Sequence, residues 1–192
     1  MNTFFKTIFF FLFFVSNNLF LTAQEAGKET DEFTKKKVET KLTEVVAPPD
    51  SIDQAELVKR AVNWIKVESK IYFKTSATTA GGKVECVVSF SVKPKDLNPE
   101  VDYTGKITMK VLIECKAGRY KYTINDIKHV SKKVKTNGGS IDNKVPECGS
   151  MAMNDLVWKK LKGEALRGAA QVVADLKVGM LYDSGNTPAD EW

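Results

Sequence analysis

The chain has 192 residues, of which 43% are hydrophobic and 28% are charged. That composition is typical of a globular protein, and it excludes collagen-like, coiled-coil and wholly disordered chains. The net charge of +5 is small, so it gives little support to a nucleic-acid-binding function.

The N-terminal segment predicts export. Lys6 is the only charged residue among the first 23, and it precedes an apolar run over residues 8–15 and the small residue Ala23. A positive start, a short apolar core and a small residue at the cleavage position are typical of a secretory signal peptide. The alternative is an uncleaved membrane anchor, but this run is much shorter than the ~20 residues that span a bilayer. We therefore predict a signal peptide over residues 1–23 and a mature protein in the periplasm or outside the cell.

The remaining chain predicts one domain with loose ends. Residues 24–36 are almost wholly polar and predict a flexible leader, because they cannot bury enough apolar surface to offset their lost entropy. Residues 178–192 contain Gly, Pro and acidic residues and predict a flexible tail. The domain between them, over residues 37–177, is long enough to bury a core without metals or many disulfides.

The domain begins with a strand and an amphipathic helix. Residues 38–47 predict a strand that ends at two prolines, and apolar residues then recur at helical spacing over residues 52–67. Ser51, followed three residues later by Gln54, predicts a capping box at the start of this helix.

Four strands of an antiparallel sheet follow. The first covers residues 70–76 and is predicted to turn Ile71 and Phe73 inward. The other three cover residues 83–93, 105–115 and 119–130, and their inward positions are apolar at a spacing of two, most strictly over 83–93. Their inward side chains are predicted to be Val84, Cys86, Val88, Phe90, Val92, Ile107, Met109, Val111, Ile113, Cys115, Tyr120, Tyr122 and Ile124.

The pairing of these strands follows from their turns. A turn at residues 117–118 opposes Cys115 to Tyr120, Ile113 to Tyr122 and Val111 to Ile124, so that every pair falls on one face. On the other side we predict that residue 93 pairs with residue 106. Cys86 and Cys115 are then diagonal, roughly 7–8 Å apart. This separation favours buried free thiols, because a disulfide would need the register shifted by one residue pair.

A second helix is predicted to cover the sheet. Residues 131–150 are rich in Lys, Gly and Ser and predict a loop, and residues 151–177 show apolar residues at helical spacing. Gly163 and Gly168 lower the helix propensity by ~1 kcal/mol each, but they should let the helix approach the sheet closely. The order strand, helix, four strands, helix predicts an α+β fold in which helices cover one face of an antiparallel sheet.

Several motifs resemble one protein family. They are the signal peptide, the helix end Ala-Val-Asn-Trp-Ile at 61–65, the hairpin Lys-x-Gly-Arg-Tyr-x-Tyr at 116–122, and Asn-Asp-Ile-Lys-His at 125–129. Over roughly residues 37–177 the chain resembles an exported bacterial domain-of-unknown-function family with a TATA-binding-protein-like (TBP-like) fold. It departs from the family at Ala117, where an acidic residue is usual. The resemblance implies the same element order as above, and it brings no catalytic residues.

Candidate catalytic residues are few. His129 is the only histidine, and we expect it to be solvated at a strand end, because a metal site needs several converging ligands. Cys148 could form a nucleophilic pair with it only if a further group oriented the two. Asp126, beside a strand end, is the only acid that we single out. The chain has no phosphate-binding glycine loop. We therefore expect no catalytic residues, no metal and no cofactor.

The outward sheet face holds the candidate binding residues. In the predicted register they form a small apolar strip with a basic rim, and they are Val87, Lys110, Leu112, Arg119, Lys121 and Thr123. Such a surface could bind a protein partner or an anionic ligand, although exposed apolar residues are common without any function. We expect no aromatic side chain on this face.

These observations favour a non-catalytic binding domain of the cell envelope. One alternative is an envelope enzyme of unrecognised type. A weaker alternative is a polyanion binder that uses the basic sheet face. Nucleic acid is disfavoured as a partner, because the DNA-binding namesake of this fold inserts Phe side chains into the minor groove. The sequence leaves open the ligand, the partner and the oligomeric state.

Overall fold

The computed structural model describes residues 39–49, 51–94 and 101–181. The predicted signal peptide and leader, and all but the first four residues of the predicted tail, lie outside this part of the chain. Within residues 39–49, 51–94 and 101–181, no helix is both long and apolar enough to cross a membrane.

The elements confirm the predicted α+β fold. In chain order they are β1 (Leu42–Val46), α1 (Gln54–Lys66), β2 (Phe73–Lys74), β3 (Thr78–Ala80), β4 (Lys83–Val92), β5 (Gly105–Lys116), β6 (Arg119–Ser131), a short 3-10 helix (Val134–Thr136), β7 (Gly139–Ser140) and α2 (Asp155–Leu181). The strands form one antiparallel sheet in the order β1-β6-β5-β4-β2, in which β3 also pairs with β4 and β7 with β6. The short strands β3 and β7 add to the predicted number, and α2 continues four residues beyond its predicted end.

The core lies between the sheet and the two helices. Inward side chains of β4, β5 and β6 pack with apolar residues of α1 and α2, and Val88 and Val111 are wholly buried. The predicted alternation on these strands is confirmed, with Phe90 only half-buried. Each fully buried large apolar side chain stabilises the fold by ~1.5–3 kcal/mol relative to its exposed state.

Helix α1 begins two residues later than its predicted start. Its N-cap is Asp53, whose carboxylate accepts a hydrogen bond from the Glu56 backbone N–H at 2.7 Å. The predicted capping box of Ser51 and Gln54 is therefore wrong. Ile52 is buried and its carbonyl accepts from the Gly118 N–H at 2.8 Å, so the residues before Asp53 are held against the β5–β6 turn. Gln54 Nε2 donates to the same hairpin, at the Cys115 carbonyl.

The β5–β6 pairing is confirmed, whereas the predicted β4–β5 register is wrong by two residues. Cys86 lies opposite Val111, and Val84 lies opposite Ile113. A shift of two keeps every side chain on its own face, so alternation alone cannot distinguish the two registers. The shift moves Cys115 further from Cys86 along the strand, and both are buried free thiols, as expected.

A β-bulge reverses the facing of the second half of β6. Thr108 pairs with Lys128 but Lys110 pairs with Asn125, so Met109 has two residues opposite it. Asp126 takes a left-handed φ of 51°, a conformation that Asp tolerates better than most residues. The extra residue turns Ile127 and His129 inward.

His129 is therefore buried, and the expected solvated position is wrong. Its side chain is wholly inaccessible, and Nδ1 accepts a hydrogen bond from the Gly138 backbone N–H at 3.1 Å. Burial lowers the pKa of His129, and a weaker interaction with the Tyr103 backbone opposes this shift. Burial thus favours the neutral form of the imidazole.

The facing of the edge strand β2 is also the reverse of the prediction. Ile71 and Phe73 are 64% and 67% exposed, whereas Tyr72 is 5% exposed. The Tyr72 hydroxyl donates to Asp175 of α2, and Lys74 donates to the Trp64 carbonyl of α1. The apolar parts of Tyr72 and Lys74 are thus buried under the sheet edge, while their polar ends form hydrogen bonds with the helices. A pattern based on hydrophobicity counts them as polar and so assigns them to the wrong face.

Candidate functional site

We call the sheet face opposite α1 and α2 the uncovered face. The structure places all six candidate binding residues on it, since five lie between inward neighbours on their strands and Arg119, the first residue of β6, precedes the inward Tyr120. Their exposure differs: Lys110 and Arg119 are exposed, whereas Val87, Leu112 and Lys121 are half-buried. Thr123 is buried, because Thr43 of the neighbouring strand β1 lies opposite it with the two hydroxyl oxygens 3.3 Å apart.

A line of mostly apolar side chains crosses the uncovered face. Leu112 lies opposite Thr123 as predicted, but Val87 lies opposite Lys110 and hence diagonal to Leu112. The same diagonal continues to Phe73 at one edge and to Val45 at the other. We call Phe73, Val87, Leu112, Thr123 and Val45 together the diagonal strip. Phe73 places an aromatic ring on a face where none was expected, as a consequence of the reversed facing of β2.

Two carboxylates bind the lysines beside the strip. Glu114 contacts Lys83 of β4 and Lys121 of β6, with N–O distances of 3.3 and 3.0 Å. Asp126 at the bulge contacts Lys110 and Lys128 at 3.7 and 2.7 Å. The hydrogen bonds from Lys121 and Lys83 lower the pKa of the Glu114 carboxyl. Each trio of two lysines and one carboxylate keeps one net positive charge.

A cleft of about 700 Å³ opens at the β2 edge of the sheet. Its walls come from the C-terminal end of α1, the segment 67–72, β2 and the adjacent ends of β4 and β5. We call it the edge cleft. Four lysines line it, namely Lys66, Lys70, Lys74 and Lys106, with Glu68 as the one acidic lining residue. Small-molecule sites commonly have volumes of about 300–1,000 Å³, so the edge cleft is large enough to hold a ligand.

Lys74 joins this cleft to a cluster of polar groups beneath β2. Its ammonium lies 4.6 Å from the centre of the Trp64 ring and 5.5 Å from that of Tyr72. Burial lowers the pKa of Lys74, and the nearby Asp175 carboxylate opposes the shift. Burial also raises the pKa of Tyr72, reinforced by its hydrogen bond to Asp175. Lys74 is thus committed to internal contacts. This cluster was not predicted from the sequence, because its members come from α1, from β2 and the residue before it, and from α2.

The cysteines lack the environment of reactive thiols. Burial raises the pKa of Cys86 to about 12 and that of Cys115 to about 11, so both stay protonated at neutral pH. Burial also raises the pKa of the half-buried Cys148. Within residues 39–49, 51–94 and 101–181, no group of three or more His, Cys, Asp or Glu side chains could hold a metal ion.

Comparison with known proteins identifies the fold. No family model matches the chain, and no curated protein does. The structure is similar to that of a DUF4468 family protein from Bacteroides ovatus, with a TM-score of 0.53 and 10% identity over 77% of this chain and 90% of the other. It is also similar to a TBP-like protein from Parabacteroides distasonis, with a TM-score of 0.51 and 14% identity over 74% and 92%. At these identities the likeness is one of fold, and it confirms the predicted TBP-like fold. The first neighbour belongs to a domain-of-unknown-function family, in agreement with the resemblance of the sequence.

Proposed function

We propose that the chain is a non-catalytic binding domain of the cell envelope, and that it binds a partner protein through the uncovered face. The diagonal strip carries this proposal. Its end residues Phe73 and Val45 are 67% and 60% exposed, and half-buried Val87 and Leu112 connect them across the sheet. Isolated exposed apolar side chains are common on monomers, but a line of them across a sheet is typical of an interaction surface.

The charges beside the strip indicate what kind of partner fits. Each lysine–carboxylate trio keeps one positive charge, and Arg119 adds another at the turn end of the hairpin. A complementary surface therefore combines apolar side chains with carboxylates. Fixed ion pairs of this kind contribute to orientation and association rate more than to affinity.

Other features support binding rather than catalysis. The two strand thiols are held protonated by burial, and His129 is buried and neutral behind the bulge. The two thiols therefore lack the ionisation that a nucleophile needs, and His129 lacks the access to a substrate that a general base needs. The signal peptide predicted for residues 1–23 supports an envelope location. Intact mass of the protein recovered from the envelope fraction should show cleavage after Ala23, and retention of these residues would contradict it.

The binding role can be tested by capturing partners from the envelope fraction of the source organism. The double variant V45Q/L112Q removes apolar side chains from the strip, and the control L156Q/L166Q removes two exposed leucines from α2. Circular dichroism should first show that both variants fold. A genuine partner should be recovered with the wild-type protein and the α2 control but not with V45Q/L112Q. Equal recovery with all three proteins would overturn the assignment to this face, and steeply salt-dependent binding to duplex DNA would instead favour the polyanion alternative.

A further inference from the structure

The edge cleft combines exposed apolar side chains with lysines that form no ion pair among the described residues. Val67, Ile71 and Phe73 are 54%, 64% and 67% exposed, and all three line the cleft. They are among the most exposed large apolar residues in the described chain. A ligand that covered these side chains would gain ~25 cal/mol of binding free energy for every Å² of apolar surface removed from water. Three of them on one concave surface indicate a ligand with an apolar part.

Three lysines of the cleft differ from the lysines beside the diagonal strip. Lys110, Lys121 and their neighbours are each held by a carboxylate. By contrast, neither Lys66 nor Lys70 nor Lys106 forms an ion pair with any residue in the part of the chain that the structure describes. All three are exposed, and Glu68 is the one acid among the lining residues. Like charges around one cleft repel each other, and an anionic group bound between them would relieve that repulsion.

We propose that the edge cleft binds a monomeric anionic amphiphile, in which a single alkyl chain ends in a carboxylate or a phosphate. The alkyl chain contacts Val67, Ile71 and Phe73, and the anionic group lies among Lys66, Lys70 and Lys106. Serine and threonine hydroxyls of the same walls, such as Ser69 and Ser91, offer further donors to the oxygens of the headgroup. This binding activity is additional to the partner binding proposed for the uncovered face.

Isothermal titration calorimetry of the mature protein tests the proposal with four probes below their micelle-forming concentrations. Dodecanoate and dodecyl phosphate carry both required parts, dodecyl maltoside carries only the alkyl chain, and inorganic phosphate carries only the charge. The first two should bind, and whichever binds more tightly identifies the preferred headgroup. Failure of both to bind would overturn the proposal. Equal affinity for dodecyl maltoside would also overturn it, because the lysines would then contribute nothing.

Charge-reversal variants locate the site. K66E/K70E should weaken binding of dodecyl phosphate about tenfold or more, which corresponds to ~1.4 kcal/mol. The control K132E/K135E reverses two exposed lysines near the 3-10 helix and should change the affinity by less than about twofold. Equal losses in both variants would show attraction by overall charge and refute the site. Lys66 and Lys70 lie outside the diagonal strip, so partner capture by K66E/K70E should remain intact and the two binding activities can fail separately.

Discussion

Two glycines in α2 form a matched pair that tests how the helix packs on the sheet. A Cβ atom added at Gly168 would lie 2.0 Å from Cζ and 2.4 Å from Cε1 of the Phe90 ring on β4. A Cβ added at Gly163 would meet no atom within 4 Å. The expected close approach to the sheet is therefore found at Gly168, and the same expectation for Gly163 is wrong. The substitution to Ala should have opposite effects at the two positions.

The magnitudes follow from two terms. Replacing a helical Gly by Ala stabilises the helix by ~1 kcal/mol, and this term applies to G163A and G168A alike. At position 168 the Phe90 ring must move by more than an ångström, and overpacking of this kind costs about 1–3 kcal/mol. We expect G163A to raise the free energy of unfolding by ~0.5–1 kcal/mol. G168A should change it by between about 0 and −2 kcal/mol, so the two variants should differ by about 1–3 kcal/mol.

Urea denaturation followed by circular dichroism measures these changes, and a double-mutant cycle with Phe90 tests their cause. In an F90A background the clash is absent, so G168A should become stabilising by about the same amount as G163A. If G168A stabilises the wild-type protein as much as G163A does, the close contact between α2 and β4 is wrong. If G168A remains destabilising in F90A, the penalty arises from something other than the Phe90 ring.

Three further predictions concern the pH dependence, the helix cap and the thiols. Because burial lowers the pKa of His129, the unfolded chain binds this proton more tightly, and the free energy of unfolding should fall as the pH drops below 6.5. H129Q should flatten the profile between about pH 7 and 5, since no other histidine is present, and an unchanged slope would contradict the burial. D53A removes the N-cap of α1 and should lower the free energy of unfolding, measured by urea denaturation, by ~0.5–2 kcal/mol, whereas S51A should leave it almost unchanged. A larger loss for S51A than for D53A would show that Ser51 is the cap. When the native protein is treated with iodoacetamide, the half-buried Cys148 should be alkylated first, and intact-mass analysis should show three labels only in denaturant. Equal alkylation rates at all three thiols would refute the burial of Cys86 and Cys115.

The sheet and its helices could be predicted from the sequence because their signals repeat. Strict alternation over ten or more residues of β4 and β5 determines which side chains face inward, whatever the exact register. The helical spacing of α1 and α2 similarly locates both helices, although the predicted ends are wrong by up to two residues in α1 and by four in α2. Six candidate residues could therefore be assigned to the uncovered face, although their exposure and their ion pairs could not.

The errors concern features that a single contact or a single residue determines. One extra residue at Asp126 reverses the facing of the rest of β6. The sequence carries a signal for this change, because the apolar residues at 120, 122 and 124 are followed by Ile127 and not by an apolar residue at 126, but the prediction of continued alternation did not use it. The strand β2 has only two residues, so hydrophobic alternation does not determine its facing. Its facing is instead set by the hydrogen bonds that Tyr72 and Lys74 form with the two helices. Reversal of that strand is also what exposes Phe73 and forms the apolar wall of the edge cleft.

The sequence by itself determined the α+β class, the inward faces of the long strands and the places of both helices, because each depends on a periodic distribution of apolar residues that local order preserves. Tertiary structure alone decided the β4–β5 register, the burial of His129, the diagonal strip and the edge cleft. Each of these depends on which distant residues meet, and hydrophobic periodicity is unchanged by a two-residue shift of register or by the choice of partner for a polar side chain.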